Sequence, residues 1–377
     1  MKIEQNIWIE NKGWTKSLGE NLSDWAQLVF VFGGRELLKN NTVIEEIKTA
    51  YPRAQLCGCS TAGEISGCEV HDNTITATAA AFEKSHIQCF EIEIAKAEDS
   101  FVTAQKLAER IDKNGLIHVF IISEGLIING SELVRGLVSK LPENVKVTGG
   151  LAGDGIGFKE TLQLFGTTVN KNRIIAIAFY GSELKIGYGS VGGWDTFGPE
   201  RIITRSKGNI LYEMDGKPAL DLYKEYLGEY ANGLPATGLL FPLSVKDQNG
   251  NTLVRSFLAM DSENNPIFAG DVPQGSQARL MKSNSDRLID GAIQAAANSI
   301  KSFDSSHVEL AILISCVGRK VILKQRIEEE IEEIQNLLGK TTFLTGFYSY
   351  GEIAPTGPNA DCALHNQTMT ITTFSEN

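Results

Sequence analysis

Three times along the chain an apolar run enters a short turn, a stretch with helical spacing follows, and a second apolar run ends at glycine. The first copy runs from residues 26–32 through Gly33-Gly34-Arg35 into 36–50, where Leu38, Val43, Ile44 and Ile47 recur at helical spacing. Residues 54–59 rebuild a strand, and 73–81 with 87–94 read as a hairpin. The second copy has a helix over 101–111, a strand over 118–122, the loop Ser123-Glu124-Gly125 and a helix over 131–141. Residues 145–148 then enter a glycine turn, and 161–169 with 174–180 supply another expected hairpin. The third copy comprises 308–315, the turn Cys316-Val317-Gly318-Arg319, a helix to Leu338, a strand over 343–346 and a last strand over 368–374. In its helix Leu323, Ile327, Ile331, Ile334 and Leu338 form one stripe, with Glu328, Glu329, Glu330, Glu332 and Glu333 on the solvated side.

The linking segments are less regular. Residues 1–21 are expected to drape over the first copy, and glycines between 187 and 193 mark a junction. A helix over 218–226 follows, then strands over 239–245 and 253–260 joined by an Asp247–Gly250 turn, then a long helix over 284–303. The pattern implies a mixed α/β fold. Two packed domains, 1–207 and 208–377, are expected, built from repeated strand-helix-strand-hairpin modules with mixed sheets.

The glycine turns repeat in detail. Gly58-Cys59-Ser60-Thr61-Ala62-Gly63-Glu64-Ile65 and Gly346-Phe347-Tyr348-Ser349-Tyr350-Gly351-Glu352-Ile353 share their punctuation, and Gly149-Gly150-Leu151-Ala152-Gly153-Asp154 reads as a third version with aspartate in place of glutamate. Glycine admits backbone angles closed to other residues, so such turns can present main-chain N–H groups beside a fixed carboxylate. The three turns are expected to meet near a shared cleft.

Charge and cysteine content narrow the classes. The 377 residues carry a net charge of −11 without a long basic run, which argues against a nucleic-acid surface and against anionic membranes. The first residues lack the apolar core of a signal peptide and no apolar stretch reaches spanning length, so a cytoplasmic protein without membrane insertion is expected. Six scattered cysteines imply reduced thiols. Cys57, Cys59, Cys68 and His71 depart from paired-cysteine zinc spacing, so no metal is expected.

Together with Pro218-Ala-Leu-Asp-Leu-Tyr223, Phe241-Pro-Leu243, Cys316-Val-Gly-Arg319 and Leu364-His-Asn-Gln-Thr368, these turns make nearly the whole chain resemble the FIST sensory family. The resemblance implies an N-terminal FIST domain over 1–207 and a C-terminal one over 208–377. It also implies a sensor of small molecules such as amino acids; some bacterial members resemble haem-bearing nitric oxide sensors acting on a histidine kinase. No kinase, cyclase or chemotaxis segment is visible here, so output is expected to travel through a separate protein of one of those kinds.

The expected ligand site gathers the turn residues Gly58, Ser60, Thr61, Gly63, Glu64, Gly149, Gly150, Asp154, Tyr348, Tyr350, Gly351 and Glu352 with Arg35, Cys316, Arg319, His365 and Asn366. A carboxylate would hold the ammonium of an amino acid, while turn N–H groups or the fork of Arg35 or Arg319 would hold its carboxylate. His365 reads either as a haem ligand or as a hydrogen-bonding group at a chain end. An enzyme is not expected. Cys316, between a strand and a helix, is nevertheless the best nucleophile and carries the alternative of a thiol-dependent enzyme; a ligand-free scaffold is a third reading.

Overall fold

The apolar runs become the central strands, buried on both faces as parallel neighbours require. The computed structural model describes residues 1–246, 250, 252–301, 303, 307–355, 357 and 361–376. In the first module Leu28–Gly33 and Gln55–Ser60 lie parallel around helix Asn41–Ala50, and Thr74–Ala81 is antiparallel on the other side of Leu28–Gly33. The second repeats this with Leu116–Ser123, helix Gly130–Val138, Lys146–Leu151 and Arg173–Tyr180. The third uses Leu310–Cys316, helix Ile327–Leu338, Phe343–Ser349 and Met369–Glu376. Each closing strand also pairs with one from before its module: Lys2–Ile9, His86–Glu93 or Leu184–Val191. The N-terminal residues therefore complete a sheet instead of draping over it.

The three sheets turn one face toward a common core. Phe30 and Phe32 of the first module, Phe120 and Phe179 of the second, and Phe347 and Phe374 of the third are all buried in it. Helices cover the outer faces, where Val43, Ile44 and Ile47 bury one side of the first-module helix and Ile331, Ile334 and Leu338 one side of the third. Glu332 and Glu333 are exposed as expected. Glu330 is not: it is fully buried against Arg319.

Each sheet borrows its fourth strand from another module. After the first glycine turn, Glu64–Ser66 joins the third sheet beside Phe343–Ser349, with Ile65 opposite Gly346. After the second, Gln163–Phe165 joins the first sheet, with Leu164 opposite Gly58. After the third, Gly351–Pro355 joins the second sheet, with Ile353 opposite Gly149. The exchange is cyclic and its register is the same three times. Main-chain bonds between the turns repeat the cycle: Ala62 N–H donates to the Tyr348 carbonyl at 2.8 Å, Gly153 to Ser60 at 2.9 Å and Tyr350 to Leu151 at 3.2 Å. A Cβ at Gly58, Gly149 or Gly346 would lie 1.8, 2.0 or 1.8 Å from the carbonyl oxygen of Val31, Ile121 or Leu313, so the paired backbones approach too closely for any other residue.

The expected hairpins are thereby corrected. Thr74–Ala81 and His86–Glu93 lie in different sheets, and so do Gln163–Asn170 and Arg173–Tyr180. The carboxylate series is corrected too. By register the residue matching Glu64 and Glu352 is Gln163, not Asp154, because the second glycine turn is extended by residues 154–162 before its strand begins.

Between Leu184–Val191 and helix Ser285–Ser299 an eight-stranded antiparallel sheet is inserted, with its own core around Tyr223, Phe257 and Phe268. Residue 207 ends its long strand Asp195–Lys207. Leu243–Lys246 and Thr252–Arg255 pair there, while the expected turn at 247–249 lies outside the described residues. Gly346→Ala is expected to cost more than about 3 kcal/mol or to prevent folding, against about 1 kcal/mol for Gly67→Ala, which has open space but a positive φ. Urea unfolding of both variants checks this; similar costs would contradict it.

Candidate functional site

The two turn glutamates are committed to the fold. Glu64 is 1% exposed and accepts from the Thr61 hydroxyl, from Thr74 N–H at 3.0 Å and from Thr74 Oγ1 at 2.9 Å. Glu352 is fully buried and accepts from Ser349 Oγ at 2.6 Å, Thr368 N–H at 3.1 Å and Thr368 Oγ1 at 3.0 Å. Gln163 takes the same bond from Arg173 N–H at 3.0 Å. Each side chain thus fastens the start of its module's closing strand. Burial dominates over these donors and pushes Glu64 up to about 7 and Glu352 up to about 8.

A polar cleft of about 310 Å³ opens beside the first turn, lined by Gly34, Arg35, Glu36, residues 61–64, Asp72, Asn73, Asp154 and Gly155. Arg35 follows its strand directly and places Nη1 3.0 Å from Asp154 Oδ2 and Nε 2.8 Å from Glu36. Asp154 also accepts from the Tyr350 hydroxyl and from the N–H groups of Lys159 and Glu160. At the rim Lys320 donates to the Ala62 carbonyl at 2.9 Å and pairs with Asp72. The cleft thus holds one guanidinium among the carboxyls of Glu36, Glu64, Asp72 and Asp154, with the Lys320 ammonium beside it. Arg35, Thr61, Gly63, Glu64 and Asp154 meet here as expected, with Tyr350 behind Asp154.

The other expected residues do not join them. Gly58 and Gly149 lie against the carbonyls of their paired strand neighbours Val31 and Ile121, and Gly150 and Gly351 pack against Ile314 and Leu151. Ser60 Oγ accepts from Leu162 N–H at 2.9 Å, and the Tyr348 hydroxyl donates to Glu330 at 2.7 Å. Arg319 is fully buried, paired with Glu330 at 2.7 Å and donating to the carbonyls of Leu288 and Gly192. That cation braces the third module and is closed to a ligand carboxylate. Cys316 is 2% exposed, and burial together with the field of Glu352 pushes its thiol far above the usual range. A nucleophilic thiolate needs the opposite environment.

His365 does not fit a haem ligand. Its Nε2 lies 3.0 Å from the Ala354 carbonyl, the ring is 8% exposed, and burial lowers its pKa to about 4. Asn366 is fully buried, and neither amide atom has a hydrogen-bond partner among the described residues. No three His, Cys, Asp or Glu side chains among the described residues form a metal-holding group. Lys320 and Asp72 were not anticipated. Lys320 follows the singled-out Arg319 in sequence, and Asp72 precedes Asn73, whose positive φ marks the turn into the closing strand.

The chain matches the FIST N domain model over residues 27–217 and the FIST C domain model over 219–355. It is 24% identical over 365 residues to the uncharacterized protein MJ1623 of Methanocaldococcus jannaschii, covering 89% of this chain and 68% of that one. Among solved structures, cyanuric acid hydrolase from A. caulinodans aligns over 100% of this chain and 98% of its own at 6% identity, with a TM-score of 0.37. That similarity is too low to carry any argument.

The raised glutamates set a pH dependence. A carboxyl whose folded pKa exceeds its unfolded value contributes stability that is complete below the unfolded range near 4.5 and is lost as pH rises through the folded value, here about 7 to 8. Glu352→Gln imitates the Gln163 arrangement and removes that loss. Urea unfolding at pH 5 and pH 8.5 is expected to show the variant less pH-sensitive than the parent by roughly 1–3 kcal/mol. Parallel pH profiles would contradict this assignment.

Proposed function

The chain belongs to the FIST family, and on that premise we propose that it binds a free amino acid, or a metabolite of the same zwitterionic character, in the cleft beside the first glycine turn. FIST domains are sensory domains of signal transduction proteins. The observation that carries the proposal is the fixed pairing of opposite charges at one small concavity, Arg35 with Asp154 in its lining and, beside it, Asp72 of the lining with Lys320. A ligand carboxylate would bridge Arg35 and Lys320, and its ammonium would face Asp72 and Asp154. The Arg35 side chain keeps 26% of its surface exposed, so its guanidinium can take up a second anion. The volume of about 310 Å³ suits a single small metabolite.

Output passes, in this reading, to a separate histidine kinase, cyclase or chemotaxis-type protein. No described helix is long and apolar enough to cross a membrane. All six cysteines are unpaired, which supports a reducing compartment such as the cytoplasm.

Titration with the common amino acids, read by thermal unfolding and calorimetry, tests the proposal. At one hundred times the dissociation constant a true ligand adds about 2.7 kcal/mol of stability. Asp72→Asn, at an exposed position, and Arg35→Ala should each weaken binding about tenfold or more, the loss of one charge-assisted bond. Glu352→Gln should leave affinity unchanged. Absence of any saturable shift, or full affinity in Asp72→Asn and Arg35→Ala together, would contradict it.

A further inference from the structure

Strand His86–Glu93 ends the second sheet, and among the described strands it pairs with Arg173–Tyr180 alone. The pairing runs from Tyr180 opposite His86 to Arg173 opposite Glu93 without a shift in register. Antiparallel neighbours bond through alternate residues, and Ile94 N–H donates to the Asn172 carbonyl at 2.8 Å, so the even-numbered residues face Arg173–Tyr180. The N–H and C=O groups of Ile87, Cys89, Glu91 and Glu93 therefore point away from the sheet. Arg110 of helix Ser100–Arg110 agrees with this direction, since its Nη1 donates to the Glu91 carbonyl at 3.1 Å. Among the described residues no group bonds the outward main chain of Ile87 or Cys89.

The first module shows such an edge closed. Its matching strand, Lys2–Ile9, is overlaid by residues 13–22. Gly13 and Trp14 pair with Ile9 and Trp8, Thr15 N–H donates to the Ile7 carbonyl at 2.9 Å, and Glu4 accepts from the N–H groups of Asn21 and Leu22 at 3.1 and 3.2 Å. No described segment overlies His86–Glu93 in this way. The strand also lacks the devices that keep open edges apart, for it holds no proline, no lysine and no bulge. Apolar side chains flank it on both faces: Ile87 and Cys89 are half-buried at the common core, and Phe90 and Ile92 are half-buried on the helix side. An added strand would bury more of all four.

We propose that this edge is a dimer interface, and that its partner is the same strand of a second copy, antiparallel across a two-fold axis. The order of polar residues favours that direction. His86 stands at the start of the strand and Glu91 and Glu93 at its end, so antiparallel copies set each acidic end beside the histidine end of the other, whereas parallel copies would stack the acidic ends. Two six-stranded sheets then become one sheet running through both molecules. The borrowed strand Gly351–Pro355 lies on the far side of that sheet, beyond Lys146–Leu151, Leu116–Ser123 and Arg173–Tyr180, so the interface stays away from the exchange with the third module.

Sedimentation of the full chain at micromolar concentration should show a reversible equilibrium between monomer and dimer. In hydrogen exchange the amides of Ile87 and Cys89 should be protected at high protein concentration and lose about tenfold of that protection on dilution, while those of Gln88 and Phe90, bonded within the sheet, keep theirs. Cys89→Pro removes an outward N–H that the monomer does not use, and edge strands accept proline at such positions, so the variant should fold and sediment as a monomer. If it misfolds, the dilution experiment on the parent chain decides alone. A chain that stays monomeric at high micromolar concentration, a folded Cys89→Pro variant that still dimerises, or Ile87 and Cys89 amides that exchange alike at all concentrations would overturn the proposal. Protection of these amides by a different protein, without self-association, would also overturn it in favour of a heterologous partner.

Discussion

The molecule depends on one reciprocal constraint: no module can finish its own sheet. Glu64–Ser66, Gln163–Phe165 and Gly351–Pro355 each leave the module that encodes them and complete another, so the three exchanges close a ring. The constraint reaches down to single residues. Glycine at 58, 149 and 346 is dictated by a neighbouring carbonyl in the same sheet, not by a ligand, and the N–H groups of Ala62, Gly153 and Tyr350 are spent on the next turn in the ring. The two family domains are consequently interlaced. A strand from the first completes a sheet of the second, and a strand from the second completes a sheet of the first, so a border drawn near residue 218 separates sequence matches without separating sheets.

Ring closure also decides which carboxyls remain for chemistry. Glu64 and Glu352 are consumed in fastening the closing strands, and Gln163 does the same work uncharged, which shows that the fastening needs an acceptor and not a negative charge. Asp154 lies outside that series because its turn is longer. It is instead carried to the first module, where it meets Arg35 across 119 residues of sequence. The polar cleft is thus a product of the one irregular copy of the repeat. In the third module the corresponding region is covered by the inserted sheet, with Gln367 Nε2 donating to the Leu239 carbonyl at 3.0 Å and Arg255 to that of Leu364 at 2.9 Å.

Much of this was legible in the sequence. The three copies, their helices and the two matching glycine octets follow from periodicity and punctuation, because central strands and amphipathic helices carry their burial in local pattern. What stayed hidden was where short strands go. Three residues such as Glu64–Ser66 satisfy any antiparallel edge, and nothing local tells a hairpin from an exchange into another sheet. Thr74–Ala81 and His86–Glu93 look like a hairpin for the same reason, since their connection is short but their sheets differ. Arg35, Thr61, Gly63, Glu64 and Asp154 do line one cleft, and what brings them together in a sequence reading is their shared position after strands. Arg319 was misread because its neighbourhood, Glu330 eleven residues later and two distant carbonyls, belongs to packing that spacing does not encode.

The most direct test of cyclic closure is native-state hydrogen exchange at the amides of Ala62, Gly153 and Tyr350, one from each bond of the ring. If the three modules hold one another closed, all three amides exchange only through global unfolding, with a common free energy and a common dependence on denaturant. Exchange of one of them at a markedly lower free energy, with the others still protected, would mean that a module opens by itself and would contradict the account.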